Sequence, residues 1–380
     1  MINPLQGTFR ANPDYEMVLF DRLPEEQRTM LADLEKDPGF YGILRPRPGI
    51  SLGTKSVCRD TALLFATLAM QPGPIPRYVL RESGAEARRT IVELVLDGVL
   101  AMESAGAWLS GASAMGLFGP ASTSTAPDPR QRLARLSWDA LEYAASLTIT
   151  DAALLSGRLY NFNSLPVSAA RLASLITSAE FERLHPPAPG EWAAMPSTPE
   201  SEAWSAWRSR RLDSRPRGHS FKLYVSPLPE ALPEAFQAAV AAAGDWGALQ
   251  FKAGRRGHDL LRPDKLVVYF DQRPSLEGAA AQIRRALSGC PVHGVPFTAP
   301  VDEPDGLLSW GFDPPPDPAA PEWLRRESWR LKLSNRLGTA LAHAKTNPAD
   351  GVSPVDFALE RIRLEGVDTQ TWSPIEEVRP

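Results

Sequence analysis

The sequence predicts an α+β fold: a front region of short strands and helices, winged-helix-like or simply helical, followed by a region built on a mixed sheet. Three observations lead there. Apolar residues alternate over short runs at 221–225 (FKLYV), 249–253 (LQFKA) and 265–270 (KLVVYF), the period of strands half-buried in a sheet. Helix-spaced segments fall between them at irregular intervals, which fits an antiparallel or mixed sheet better than a regular parallel one. Proline is abundant, 37 of 380 residues, and gathers in breaks at 118–130 (FGPASTSTAPDPR) and 184–199 (LHPPAPGEWAAMPSTP) that interrupt any continuous packing. Three parts follow: residues 1–117, a helical segment with Pro-rich linkers at 118–200, and residues 204–380.

Taken in order, residues 41–57 carry short apolar pieces around Pro-Gly and Leu-Gly and read as a hairpin. Residues 60–70 are apolar and helical, 75–81 form a second short helix, and 86–99 place Ile91, Leu94, Val95 and Val99 at helical spacing. Residues 100–110 turn strand-like around Gly106. The middle part gives helices at 136–147, 150–160 and 167–176, with YNFN (160–163) as a polar-aromatic turn. Beyond it come the strands 221–225, 249–253 and 265–270, helices at 233–243 and 276–287, short strands at 295–298 and 307–312, a third Pro run at 313–321, and a long helix at 329–344 containing Asn335 and Arg336.

Composition removes several function classes. With 43% hydrophobic and 23% charged residues the chain has the make-up of a globular protein with a sizeable core. A net charge of −4 gives no overall attraction to nucleic acid or to an acidic membrane. No apolar run has the length of a membrane span, and the first residues show no secretory signal. Cys58 and Cys290, the two cysteines, allow one disulfide and no framework, so a reducing cytoplasm is expected. GxGxxG, P-loop and HExxH patterns are missing, and neither metal nor cofactor is expected. Ser226 and Ser309 lack a nucleophile elbow, and Asp302-Glu303 sits in a Pro-rich loop with no fixed carboxylate spacing.

One stretch reverses the sign of the chain. Between Arg208 and Arg273 there are twelve Lys/Arg against seven Asp/Glu, with His219 and His258 among them. Clustered cations concentrate an anionic ligand, and guanidinium forks grip phosphate oxygens. The plainer reading, a solvated basic face, stands beside it and is favoured for residues 208–217. Lys222 and Lys252 are different, because each is an amine inside an apolar strand. Burial penalises the ammonium form and lowers the pKa, which fits a lysine for work as a base. Alternation puts Lys222 and Tyr224 on one face, away from Phe221, Leu223 and Val225, and sets Lys252 opposite Phe251. Both lysines pointing to solvent from a half-exposed sheet is the alternative.

The hairpin, three short helices and closing strands of the front part resemble the small winged-helix domains that capture leader peptides by strand addition; a structural helical domain is the competing reading. From about residue 204 the resemblance becomes more specific. GHSFKLYVSP (218–227), FKAG (251–254), LLRPDKLVVYF (260–270), HGVPFTAP (293–300) and LLSWGFDPP (307–315) resemble the HopA-type effector family, whose relatives act as phosphoserine/phosphothreonine lyases in class V lanthipeptide and thioamitide pathways. The resemblance implies a cofactor-free lyase-like domain that forms dehydroalanine or dehydrobutyrine in a precursor peptide phosphorylated by a separate kinase. It implies Lys252 as the base and Lys222 as the cation at the substrate carbonyl. His219 is the candidate acid, with His258 as its alternative. In the relatives the histidine follows the lysine, whereas His219 precedes Lys222 by three and shares its face only if it lies ahead of the strand. Arg262 and Lys265, with Arg255 and Arg256, resemble the phosphate clamp. Tyr269 is read equally as a phosphate donor and as a core aromatic. His293 is taken as structural, and Asn335-Arg336 as either near the site or a packing element.

Elimination from a phosphorylated residue makes that set of parts sensible. It needs a base for the α-proton, cations for the phosphate and the developing enolate, and an acid for the leaving group. The competing class is a non-catalytic interaction protein that uses the basic patch to bind a partner. Nucleic-acid binding by the front part is disfavoured, because residues 60–113 offer no basic recognition helix.

Overall fold

The computed structural model describes residues 6–35, 37, 39–76, 84–118, 126–128, 130–169, 190–196, 202–211, 220–255, 257–301, 305–313 and 327–375. The expected helix at 75–81 lies outside them but for its first two residues, and that at 167–176 but for its first three. Helices and sheets are both present, as the α+β class requires.

The front opens with β1 (Phe9–Ala11), β2 (Tyr15–Leu19), β3 (Phe40–Pro46) and β4 (Lys55–Cys58), of which the last three form an antiparallel meander. Helices α1 (Arg59–Met70) and α2 (Gly84–Leu96) follow, then the hairpin β5 (Leu100–Ser104) and β6 (Ala107–Leu109), which pairs back onto β1. The middle helices are α3 (Arg132–Ser146) and α4 (Ala152–Tyr160). Asp151 starts α4 by accepting the Leu154 N–H at 2.8 Å, which satisfies one of the free donors of the first turn.

A seven-stranded antiparallel sheet dominates the second half. Its strands are β7 (Trp192–Ala194), β8 (Trp204–Ser209), β9 (Ser220–Val225), β10 (Gln250–Gly254), β11 (Leu266–Phe270), β12 (Ala299–Pro300) and β13 (Leu308–Asp313), in the order β12-β13-β9-β11-β10-β8-β7. Helices α5 (Leu232–Asp245) and α6 (Arg273–Ala286) cover one face, where Leu223, Val225, Phe251, Val268 and Phe270 form a core with Phe236, Leu276 and Ile283. Full burial of each large side chain contributes about 1.5–3 kcal/mol, so this covered face fixes the register. A slip of one residue would turn that set outward.

The last helices, α7 (Trp329–Thr346) and α8 (Pro354–Leu364), join a different core. Leu333, Leu337, Leu341 and Phe357 pack with Phe9, Leu44, Val95, Leu141 and Leu155 of the front and middle parts. The α4–α7 crossing is close because residue 338 is glycine: a Cβ there would stand 2.7 Å from the Ser156 nitrogen. Residues 295–298 are not the expected strand. Phe297 has a φ of 60° and donates its N–H to the Ser137 hydroxyl at 2.8 Å, so the backbone turns before pairing starts at Ala299. Cys58 and Cys290 are both free thiols. Among the described residues no helix is long and apolar enough to cross a membrane.

Candidate functional site

The second face of the large sheet carries polar groups where the first carries core. Register sets the rows. Lys222 stands opposite Tyr269 on β11 and Gly311 on β13, while Val267 stands between Tyr224 on β9 and Lys252 on β10. Because side chains alternate, Lys222, Tyr224, Tyr269 and Lys252 share this face. Trp204 on β8 stands two positions from Ala206, the partner of Lys252, and so joins them. Gly311 leaves room for the Trp329 ring, 2.7 Å from where a Cβ would lie.

Tyr269 stands between the two amines. Its ring centroid is 5.2 Å from Lys222 Nζ and 5.8 Å from Lys252 Nζ. Lys222 is buried and paired with Asp313 at 2.5 Å. Lys252 is not so neutralised. Its Nζ lies 3.9 Å from the centroid of the Trp204 ring, and no carboxylate within ion-pair distance is found for it among the described residues. Burial, and next the charge of Lys222, lower its pKa to about 7. Tyr224 and Tyr269 move the other way: burial, and next the Asp313 carboxylate, push both phenols well above their usual value.

Beside this face lies a buried charge network built from three distant parts of the chain. Asp264, ahead of β11, accepts from Arg262 Nε and Nη2 at 3.0 and 3.1 Å and from Arg330 Nη1 at 2.7 Å. Arg330, at the start of α7, also donates to Tyr160 O at 2.8 Å and Pro296 O at 3.2 Å. Arg262 reaches the Tyr160 hydroxyl at 3.2 Å and lies over Trp204, its guanidinium carbon 4.9 Å from the ring centroid. Burial acts to raise the Asp264 pKa, but Arg330 and then Arg262 outweigh it and hold the carboxyl well below the usual range. Trp204 thus carries Lys252 and Arg262 on its ring, and the network fixes Arg262 at the edge of the lysine face.

The other residues expected from sequence are placed as follows. Lys265 is fully buried, and its amine donates to Pro227 O and bonds His293 Nδ1, both at 2.8 Å. His293 Nε2 in turn donates to Asn163 O at 2.5 Å, which fixes the ring's tautomer. Burial and then Lys265 lower the His293 pKa to about 3. Arg255 is exposed at the end of β10. His258 is exposed and lies 3.2 Å from Asp259. His219 and Arg256 lie outside the described residues. Asn335 accepts from the Ser156 hydroxyl and donates to Glu327, while Arg336 pairs with Glu365 at 3.3 Å, so this pair ties helices together. Sequence reasoning did not find Asp313, Arg330, Tyr160 or Trp204. Asp264 was visible only as part of the RPDK turn, and nothing local marks its partner Arg330.

No family model and no curated protein matches the chain. Solved structures of low similarity do. The effector protein from Pseudomonas syringae pv. tomato strain DC3000 is 11% identical, with 64% of this chain and 98% of that one covered at a TM-score of 0.42. The type III effector/phosphothreonine lyase OspF from Shigella flexneri is 16% identical, covering 42% and 90% at a TM-score of 0.28. The phosphothreonine lyase SpvC, an effector from Salmonella, is 16% identical, covering 51% and 98% at a TM-score of 0.28. The structures similar to this chain therefore include Pseudomonas effectors and phosphothreonine lyases, at low identity and TM-score.

Proposed function

We propose that the chain is a lyase that eliminates phosphate from phosphoserine or phosphothreonine in a peptide. The observation that carries this reading is Lys252: a half-buried amine with a pKa of about 7, without a carboxylate partner among the described residues, on the same sheet face as a second lysine and two protonated phenols. A neutral amine near pH 7 is a competent base for an α-proton.

In the proposed step the Lys252 lone pair takes the proton from Cα. The electron pair left behind forms the Cα–Cβ double bond, and the Cβ–O bond breaks with its electrons leaving on phosphate. Lys222, held by Asp313, stabilises charge on the substrate carbonyl oxygen as the proton leaves. Arg262, with Arg255 and Arg256, forms the phosphate grip. His219 is the sequence-based candidate for protonating the leaving group. Tyr224 and Tyr269, kept protonated by burial, are the donors that the described face itself offers. The product is dehydroalanine or dehydrobutyrine, and a separate kinase must supply the phosphorylated peptide. The finer reading is a lanthipeptide-type precursor as substrate and the front part as a winged-helix-like module holding its leader. Motifs such as FKAG and RPDK and the order of strands and helices before residue 110 support it.

The test is a phosphoserine peptide incubated with the protein alone and followed by mass spectrometry. A loss equal to phosphoric acid that disappears in Lys252→Ala is expected. An intact phosphopeptide, with leader-bearing precursor as well as with short peptide, sinks the reading and leaves an interaction protein.

A further inference from the structure

We propose that the groove between β2 and α1 holds an extended peptide segment with acidic side chains, taken up as an additional strand on the free edge of β2. The groove has a volume of about 530 Å³, and along it Tyr15, Glu16 and Met17 form one wall and Phe65, Ala66 and Ala69 the other. Consecutive strand residues in one wall mean that the hollow follows the backbone edge, since a groove over one face would meet every second residue.

Hydrogen-bond parity says which backbone groups are free. Arg47 donates its N–H to Asp14 O at 2.8 Å, and the register pairs Tyr15 with Pro46 and Met17 with Leu44. In an antiparallel ladder bonded pairs alternate, so Glu16 and Val18 bond β3 while Met17 and Leu19 turn their N–H groups outward. Pro46, which has no N–H to give, falls at an unbonded position as this parity requires. Among the described residues, β2 pairs with β3 alone in its sheet. Such an edge is a template for strand addition.

Charge selects the occupant. Glu16 is matched by Arg45 at 2.6 Å. Arg10 and Arg47 also line the groove, and no carboxylate pairs with either among the described residues. Arg10 stacks on Trp108 at 4.7 Å with its buried Nε lacking a hydrogen-bond partner, and Arg47 Nε donates to Pro13 O. Small side chains at Ala66 and Ala69 let a chain approach α1, and Leu63 and Met70 extend an exposed apolar stripe beside them. The inference rests on the proposed function only in giving the front of the chain a peptide to hold.

The probe is a fluorescein-labelled, phosphate-free peptide of alternating valine and glutamate, followed by anisotropy against the full chain. Binding is expected, with slowed hydrogen exchange at the Met17 and Leu19 amides. Arg10→Glu combined with Arg47→Glu weakens it roughly tenfold or more. Met17→Pro abolishes it while β2 stays paired to β3, since that N–H faces outward. Equal binding of a peptide with lysine in place of glutamate overturns the proposal. So does unchanged binding to Met17→Pro, or self-association of the chain through β2 seen in sedimentation. Loss of this binding leaves phosphopeptide elimination standing, and absence of elimination leaves this binding standing, so the two readings fall separately.

Discussion

Lys265 is fully buried and Lys252 half-buried; both lie on or beside the β10–β11 pair, and both have a pKa lowered to about 7. Their surroundings differ. Lys265 gives its protons to Pro227 O and His293 Nδ1 at 2.8 Å, whereas Lys252 faces the rings of Trp204 and Tyr269. Ring faces stabilise an ammonium without accepting a proton from it. Desolvation lowers a lysine's pKa wherever the amine is buried, so the lowered value does not mark a base. What marks one is an amine that the fold does not already hold by its N–H groups, so that its lone pair can be turned toward a substrate.

The largest effect expected from this contrast is on turnover. Lys252→Ala should slow phosphate elimination by about 10²- to 10⁴-fold, read by mass spectrometry, with an unfolding midpoint unchanged or raised because a desolvated amine without a carboxylate partner is gone. Lys265→Met should do the reverse. It leaves His293 Nδ1 and Pro227 O without their donor, costs about 1–3 kcal/mol in urea unfolding, and leaves the rate per folded molecule intact. Equal loss of turnover in both variants breaks the comparison.

Next in size is the network that holds Arg262 beside Lys252. Asp264→Asn removes the carboxylate between two guanidiniums, and buried Arg330 has no other carboxylate partner among the described residues. Breaking such a pair costs about 3–5 kcal/mol. Urea titration checks this, and a cost under about 1 kcal/mol, the range of an exposed pair, would show that the network does not fix Arg262.

The large sheet was readable because its strands alternate strongly and its covered face is apolar. FKLYV, LQFKA and KLVVYF each became a strand, and the shared face of Lys222 and Tyr224 followed from parity alone. What stayed hidden depends on contacts between distant residues. WSAWRS became β8, but two serines and an arginine mask its strand character, and Trp204 lay unnoticed. Arg330 is a helical residue among many, and it acquires meaning only when α7 is laid against the end of α4 and the turn at 262–264. The expected strand at 295–298 failed because Phe297 adopts a left-handed backbone held by Ser137, a contact 160 positions away.

The two lysines also write a pH signature. Elimination needs neutral Lys252, so the rate should rise with pH through about 7 and then level off. Stability changes over a neighbouring window with the same sign. Between about 7 and the unfolded lysine value the unfolded chain binds more protons, so stability rises with pH there, by up to about 1.4 kcal/mol per pH unit for each lysine. Below about 7 both states are protonated and this slope vanishes. Lys252→Met and Lys265→Met should each remove part of the slope in urea titrations, while the rising limb of the rate survives in Lys265→Met.

The smallest effect separates the Tyr269 ring from its hydroxyl. Tyr269→Phe keeps the face that lies between the two amines, so Lys252 should titrate as before and the rate should fall by about tenfold or less, the value of one hydrogen bond. Tyr269→Leu removes the ring and with it a contribution of about 0.5–2 kcal/mol to the ammonium form. Losing support for the charged form lowers the pKa, so the rising limb should move toward acid by up to about one and a half pH units. Lys265 makes no contact with that ring, so its share of the stability slope should stay where it is. A limb that moves toward base instead, or in step with the Lys265 slope, would mean that the rate reports the wrong lysine.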